Sequence, residues 1–267
     1  MVPVEVRQQP HVSFTQIDQY LRCPLRYRFL YIDRLEPDFV PAALAFGSGI
    51  HAAAAVFFRG VGQGERPRVE DVQGYFETFW NLETDHQPIR YGEKESKEGL
   101  LDLARRMLAV LCEKFEPGTE VVAVEQPFAA PLIDQETGEV LDRDLVGTLD
   151  LLERDAEGLV VVDLKTSARK YTDLQVETAL QLSVYSYAVG LSQFANGDDV
   201  RLRFDVLTKT KQPELHRYPT TRDRAANVRL FRLVAEVLRA IEAGVFHPIV
   251  GWQCKECSYR SRCWAWK

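Results

Sequence analysis

The chain has 267 residues, of which 46% are hydrophobic and 27% charged. That length buries a sizeable core, and the composition excludes a disordered tail, a collagen-like chain and a low-complexity scaffold. Lys and Arg total 33 against 39 Asp and Glu, a net charge of −6, which excludes a whole-surface basic coat for nucleic acid. Any such contact must come from a local basic patch or a bound cation.

Residues 13–31 open with Ser13-Phe-Thr-Gln16, a capping box, followed by Phe14, Ile17, Tyr20 and Leu21 at helical spacing. Cys23-Pro24 predicts a break before a second short helix through Tyr31. Phe46-Gly-Ser-Gly-Ile-His51 reads as a glycine-rich entry into an Ala-rich helix, and residues 69–84 and 97–116 as two more helices. The pattern changes near Thr119. Strands are predicted over residues 120–128, 145–152 and 159–164, the last two joined by the turn-rich Asp155-Ala-Glu-Gly158. A helix is predicted over residues 172–194, strands over 200–208 and 214–218, and a long helix over 222–243 that stops at Gly244.

This order predicts one α/β domain over residues 1–267. A helical portion covers about 13–116, a core with a mixed sheet about 119–243, and a Cys-rich tail 244–267. No apolar run is read as approaching the roughly 20 residues of a membrane helix, and residues 1–7 lack the basic start and apolar stretch of a signal peptide. The expectation is a cytoplasmic protein without membrane contact. Five cysteines, an odd number, in such a chain favour metal ligation over disulfides.

The 159–164 hairpin allows a register argument. If its loop centres between Ala156 and Glu157, Asp150 faces Asp163, on one side of the sheet. Lys165 lies two residues further along that side. Val146, Leu149, Leu151 and Leu152 flank one acid, and Val160, Val161, Val162 and Leu164 the other. Two carboxylates opposed in apolar surroundings repel and lose hydration, and a cation between them removes both problems. An odd-length turn would separate the acids, leaving Asp150 at a sheet edge and Asp163–Lys165 as an ordinary surface pair.

Gly147-Thr-Leu-Asp150, Asp163-Leu-Lys165 and Gln181-Leu-Ser-Val-Tyr185, in this order, resemble the motifs of RecB-type PD-(D/E)XK nucleases. That group includes the AddB nuclease domain and the CRISPR-associated RecB-like exonucleases. Gly47-Ser-Gly-Ile-His51 is similar to the group's upstream motif, which ends in histidine. No proline precedes Asp150, and Asp stands for Glu at Asp163. The resemblance implies a restriction-endonuclease-like mixed central sheet flanked by helices. It implies Mg²⁺ or Mn²⁺ held by Asp150, Asp163, the Leu164 backbone carbonyl and His51, the imidazole suiting Mn²⁺ better. Lys165 would orient or deprotonate the attacking water, or stabilise charge on the phosphate. Gln181 and Tyr185, at i and i+4 on one helix face, would contact DNA or position Lys165. On the residues alone, His51 reads equally as a core histidine. Glu125 is a further candidate on the first strand.

Cys254-Lys-Glu-Cys257 and Cys263 form C-x2-C-x5-C, one ligand short of a tetrahedral site. Cys23 and Cys112 are the cysteine candidates for the fourth. Cys112 sits in apolar helical sequence and reads as a buried small residue, whereas Cys23 stands at the Pro24 break. This arrangement resembles the iron–sulfur clamp of the same nucleases. It implies a [4Fe–4S] cluster on Cys23, Cys254, Cys257 and Cys263, with structural Zn²⁺ as the alternative. If the ends join, Arg22, Arg26, Arg28 and Tyr27 converge with Lys255, Arg260, Arg262, Lys267 and nearby aromatics into a patch for single-stranded DNA. Arg201, Arg203, Lys209 and Lys211 form a second candidate strip. The expected activity is a DNA exonuclease acting on single strands or ends, in repair, recombination, phage replication or CRISPR spacer processing. A helicase or CRISPR adaptation proteins are the conceivable partners. The alternatives are a catalytically silent DNA-end-binding subunit and a zinc-stabilised protein-interaction module.

Overall fold

The computed structural model describes residues 10–192, 194 and 200–266. Its first element, the short strand β1 (His11–Ser13), is absent from the sequence reading. Ser13 then caps α1 (Phe14–Arg22). Its hydroxyl accepts from the Gln16 N–H, and the Gln16 side chain accepts from the Ser13 N–H. Cys23 leaves the helix in extended conformation, and Pro24 starts α2 (Pro24–Tyr27), which continues as a π-turn over Arg28–Ile32.

Three helices follow, α3 (Ala42–Gly62), α4 (Val69–His86) and α5 (Lys97–Lys114). A small parallel pair, β2 (Val40–Pro41) with β3 (Ile89–Arg90), ties the start of α3 to the chain beyond α4. Gly49 lets α4 lie close, because a Cβ there would stand 2.7 Å from the Phe76 ring. Helix α3 corrects one expectation: by length and composition it is apolar enough to cross a membrane. Its Ala and Gly residues disguise this in the sequence. Phe46, Ile50 and Phe57 pack it into the core against Phe76, Trp80 and Met107.

The main sheet has six strands: β1, β4 (Glu120–Ile133), β5 (Val140–Asp155), β6 (Gly158–Ser167), β7 (Arg201–Thr208) and β8 (Leu215–Thr220). β5 runs antiparallel to β4 and β6, β6 parallel to β7, and β7 antiparallel to β8. The parallel β6–β7 crossover carries α6 (Asp173–Glu177) and α7 (Leu180–Gly190). The single helix predicted over 172–194 is therefore broken. Ala179, at φ −65° and ψ 107°, leaves the helical region, so α7 starts afresh in a new direction. Phe194 lies beyond α7, and residues 193 and 195–199 fall outside the described residues. Helix α8 (Arg224–Glu242) ends before Gly244, whose φ is 71°.

Alternation along the strands builds two cores. Leu152, Leu159 and Val161 pack towards α1, α7 and α8, while Leu151, Val160 and Val162 pack towards α3, α4 and α5. The result is the expected mixed sheet flanked by helices.

The hairpin register holds: Leu151 pairs with Val162, and the four pairs down to Asp155–Gly158 keep the same offset. Pairing stops one position short of the two aspartates. On that same edge β5 pairs with β1 at Asp144–Val146, so Gly147–Asp150 has no strand beside it there. The other edge is covered by β4, where Phe128 lies opposite Gly147. A Cβ at Gly147 would stand 2.5 Å from the Phe128 ring, which also meets Tyr185 edge-on at 6.2 Å between centroids. Gly147→Ala is therefore expected to cost about 1–3 kcal/mol, read as a lower melting temperature, with Phe128 driven onto Tyr185.

Candidate active site

The unpaired stretch of β5 creates the site. Beyond Val162 the two strands part, so the Leu164 N–H donates to Asp150 Oδ2 at 3.0 Å. This brings both acids and Lys165 together, as the register argument requires. Asp163 is fully buried, and its Oδ2 lies 2.5 Å from Lys165 Nζ. Its Oδ1 has no hydrogen-bond partner among the described residues. An orphaned carboxylate oxygen beside a second carboxylate fits a cation. The Leu164 side chain packs in the α3 core.

The two acids have opposite electrostatics. Burial pushes the Asp163 carboxyl up to about 6, and the charge of Asp150 adds to this against the pull of Lys165. Burial also pushes Asp150 up, but a hydrogen bond from His51, the charges of His51 and Lys165, and the Leu164 N–H outweigh it and hold Asp150 below its ordinary value. His51, on α3, lies with Nδ1 3.3 Å from Asp150 Oδ2. Burial would lower the imidazole; its bond to Asp150 overrides that and keeps it raised. His51 is thus a member of the site.

Glu125, held loosely on sequence, also reaches it. It lies on β4 between the pairs Val124–Leu151 and Gln126–Leu149, across from Asp150. Its φ of 52° is left-handed, a conformation rarely seen in a strand glutamate and one that costs energy. Burial raises its carboxyl, and the Asp150 charge adds to the effect. His51, Glu125 and Asp150 line a cleft of about 630 Å³. Nothing in the sequence marks the strained backbone, because strain at one residue follows from how two strands and a helix meet.

Gln181 and Tyr185 form a relay behind Lys165. The Lys165 ammonium donates to Gln181 Oε1 at 2.8 Å, and Gln181 Nε2 donates to the Tyr185 hydroxyl at 2.8 Å. That hydroxyl donates to the Thr148 carbonyl at 3.1 Å. Tyr185 is buried, which raises its phenol well above the ordinary value. These contacts fit the second of the two expected roles, positioning Lys165. Gln181→Ala is expected to lower kcat at least tenfold with KM within twofold in steady-state cleavage assays, since a lost hydrogen bond to a charged group is worth about 1.5–3 kcal/mol and about 1.4 kcal/mol is a factor of ten.

The tail does return to the N-terminal helices. Tyr259 donates to the Leu35 carbonyl, the Leu25 N–H donates to the His247 carbonyl, and the Asp38 N–H to the Ser258 carbonyl. Cys23, Cys257 and Cys263 pack around Leu25, Phe29 and Tyr259. The Cys263 thiol is raised by burial first, then by the neighbouring sulfurs of Cys23, Cys257 and Cys254. All four of these thiols are free, and thiolate sulfur is a donor suited to a soft metal or cluster. Among the described residues no three His, Cys, Asp or Glu side chains, at the thiols or at the acids, are grouped so that they could hold a metal ion. Cys112 is buried in α5, where desolvation pushes its thiol up to about 11.

The predicted DNA patch needs correction. Tyr27 is buried against Tyr20, Tyr31 and Phe246, its ring stacked on the last, so no base can reach its face. Tyr20 and Tyr259 are buried as well. Arg22 pairs with Asp18, Arg28 with Asp33 and Lys255 with Glu93. Arg26 is half-buried, whereas Arg260, Trp264 and Trp266 are exposed. Lys267 lies outside the described residues. The second strip fails for a similar reason. Arg201 pairs with Asp155 and Glu157, and Arg203 is held between Glu153 and Asp205 inside the α3-side core. Lys209 is half-buried with Nζ over Phe46, and Lys211 is exposed.

Comparison with known proteins agrees with this picture. A solved structure designated a "putative exonuclease" from Eubacterium rectale matches with a TM-score of 0.61 and 14% identity, covering 98% of this chain and 93% of that one. A structure of a protein designated SSO0001 matches with a TM-score of 0.45 and 14% identity, covering 99% of this chain and 89% of that one. No curated protein matches. The sequence profile of the PD-(D/E)XK nuclease superfamily matches residues 11–264. A profile that spans nearly all of the described chain, on a mixed sheet whose parting strands bring Asp150, Asp163 and Lys165 together, makes this protein a member of the PD-(D/E)XK nuclease superfamily.

Proposed function

We propose that this protein is a metal-dependent deoxyribonuclease that hydrolyses phosphodiester bonds at DNA ends or in single strands. The observation that carries this reading is the fully buried Asp163, with one oxygen unpartnered, beside Asp150 and the Lys165 ammonium. Asp150, Asp163, the Leu164 carbonyl and His51 would hold Mg²⁺ or Mn²⁺. When bound, such an ion supplies Lewis acidity to the phosphate and lowers the pKa of the attacking water. The Asp163 charge keeps Lys165 protonated against the effect of burial. Its ammonium therefore neutralises charge that builds on the phosphate in the transition state. Gln181 and Tyr185 fix the direction in which that ammonium points.

Cys23, Cys254, Cys257 and Cys263 form, in this reading, a structural clamp holding a [4Fe–4S] cluster, with Zn²⁺ as the chemical alternative. The nearness of the other three sulfurs to Cys263 and the absence of any disulfide among them support it. Of the residues that border that clamp, the exposed Arg260 would contact the DNA backbone.

The deciding experiment compares end-labelled linear single-stranded DNA with a circular single strand of the same sequence, in Mn²⁺, Mg²⁺ or EDTA. Stepwise loss of the linear strand, sparing of the circle and inhibition by EDTA are the expected results. Tight DNA binding without cleavage in any divalent ion would overturn the catalytic reading in favour of a silent end-binding subunit. Equal cleavage of the circle would make the enzyme an endonuclease.

A further inference from the structure

His51 stands midway along the α3 wall of the cleft between α3, α4 and β4, a wall that runs from Ala43 to Arg59. From His51 the cleft continues along α3 past Ala52 and Ala55 to Arg59. His51, Ala55 and Arg59 are four residues apart in succession, so they share a helix face. The face runs about 12 Å at 1.5 Å per residue, several stacked-base rises of about 3.4 Å. Tyr75 and Phe79 of α4 line the same cleft, with Phe79 beside Gly49 and so on the other side of His51 from Arg59.

Two features of this cleft are unexplained by folding. Arg59 is exposed and forms no ion pair among the described residues, although most arginines near the sheet are paired. The Tyr75 ring is 44% exposed at the cleft wall, while its neighbour Phe76 is wholly in the core. A planar guanidinium free to fork onto an anion, an accessible aromatic wall and an acid centre built to act on a phosphate share one continuous cavity. The geometry points to a substrate-strand subsite: Arg59 holds a backbone phosphate away from the scissile bond, and Tyr75 with Phe79 stacks a base. The assignment rests on the nuclease reading and adds to it where the strand lies.

The chemistry favours a polynucleotide. Glu125 and Asp150 make the catalytic centre acidic, so a lone small anion gains nothing there without a cation. A chain of phosphates can place one at the acid centre and another at Arg59. The methyl side chains of Ala52 and Ala55 leave room between those anchors.

The test uses the full-length protein, wild type and with Arg59→Ala, Arg59→Lys or Tyr75→Ala, in Mn²⁺. Substrates are an oligothymidylate of about twenty nucleotides and a dinucleotide too short to span the cleft. For Arg59→Ala, the expected result on the long strand is a KM raised at least tenfold with kcat within twofold. Arg59→Lys should recover part of that loss, and Tyr75→Ala should raise KM severalfold. The dinucleotide should be cleaved equally by wild type and Arg59→Ala. Because Arg59 is on the surface, its variants should fold, and matching melting curves will show it.

An unchanged KM on the long strand would overturn the subsite while leaving the nuclease intact. So would an equal defect on the dinucleotide, which would mean that Arg59 acts at the acid centre. Oligonucleotides with a 5′-phosphate and a 5′-hydroxyl should show the same Arg59 effect, and an effect confined to the phosphorylated end would overturn the backbone-phosphate assignment. If wild-type protein cleaves neither substrate, the nuclease reading itself fails and takes the subsite with it.

Discussion

Lys165→Ala is expected to reduce DNA cleavage about 10²–10³-fold, the usual loss when a preorganised charge donor leaves the transition state. The ammonium is 2.5 Å from Asp163 and held from behind by Gln181, so no other described cation is placed to replace it. Asp163→Asn should be at least as inactive, yet stability separates the two variants. In metal-free protein Asp163 titrates at about 6, above its ordinary value, so its ionised form opposes folding. A raised pKa means stability is fully present at low pH and is lost as pH rises through about 6. Asparagine does not titrate and escapes that loss. In EDTA at pH 7.5, Asp163→Asn should therefore be more stable than wild type, by on the order of 3 kcal/mol, and the gap should shrink towards pH 5. Thermal melts at both values check this. A variant that melts below wild type at pH 7.5 would show that the pair with Lys165 outweighs burial and the Asp150 charge.

Cys263→Ser should have the largest effect on stability. Cys23 and Cys254 are more than 200 residues apart in sequence, so a metal group joining them closes a very long loop. In anaerobically purified protein the substitution is expected to remove the visible absorption and most of the iron, and to lower the melting temperature by roughly 10 °C. Full metal content with an unshifted melt would remove the clamp from the account. Iron-free wild-type protein carrying one zinc would instead select the alternative metal. Cys112→Ala is the control. Its thiol is buried in α5, far from ligand chemistry, and the change should leave metal content as it was.

The legible parts of this protein were those with a period. Alternation along β5 and β6, with an even turn at Ala156-Glu157, predicts that Asp150, Asp163 and Lys165 share one side, and all five observed pairs keep that register. Helical spacing predicts α1, α4, α5 and α8, and the Ser13 box and Gly244 predict two of their ends. His51, Gln181 and Tyr185 became candidates through resemblance, because a histidine in an Ala-rich helix and a Gln-x-x-x-Tyr carry little chemistry alone.

The misread parts share a different property. Tyr27 looked like a stacking surface because tyrosine suits both core and interface, and only Phe246, far along the chain, decides for the core. Arg201 and Arg203 looked like a basic strip because their partners Asp155, Glu157 and Glu153, on β5 and its turn, are remote in sequence, although Asp205 stands two residues from Arg203. The break at Ala179 turns on one ψ value that residue type does not dictate.

Local order and side-chain chemistry thus set the strands, the helices and which acids are neighbours, since these depend on residues a few positions apart. The tertiary structure alone decided that β6 leaves β5 at Asp150, that Glu125 is held with a left-handed backbone across from it, and that Arg59 and Tyr75 line the same cleft. Each of these depends on where a third element packs, and packing between distant segments leaves no periodic trace in the chain.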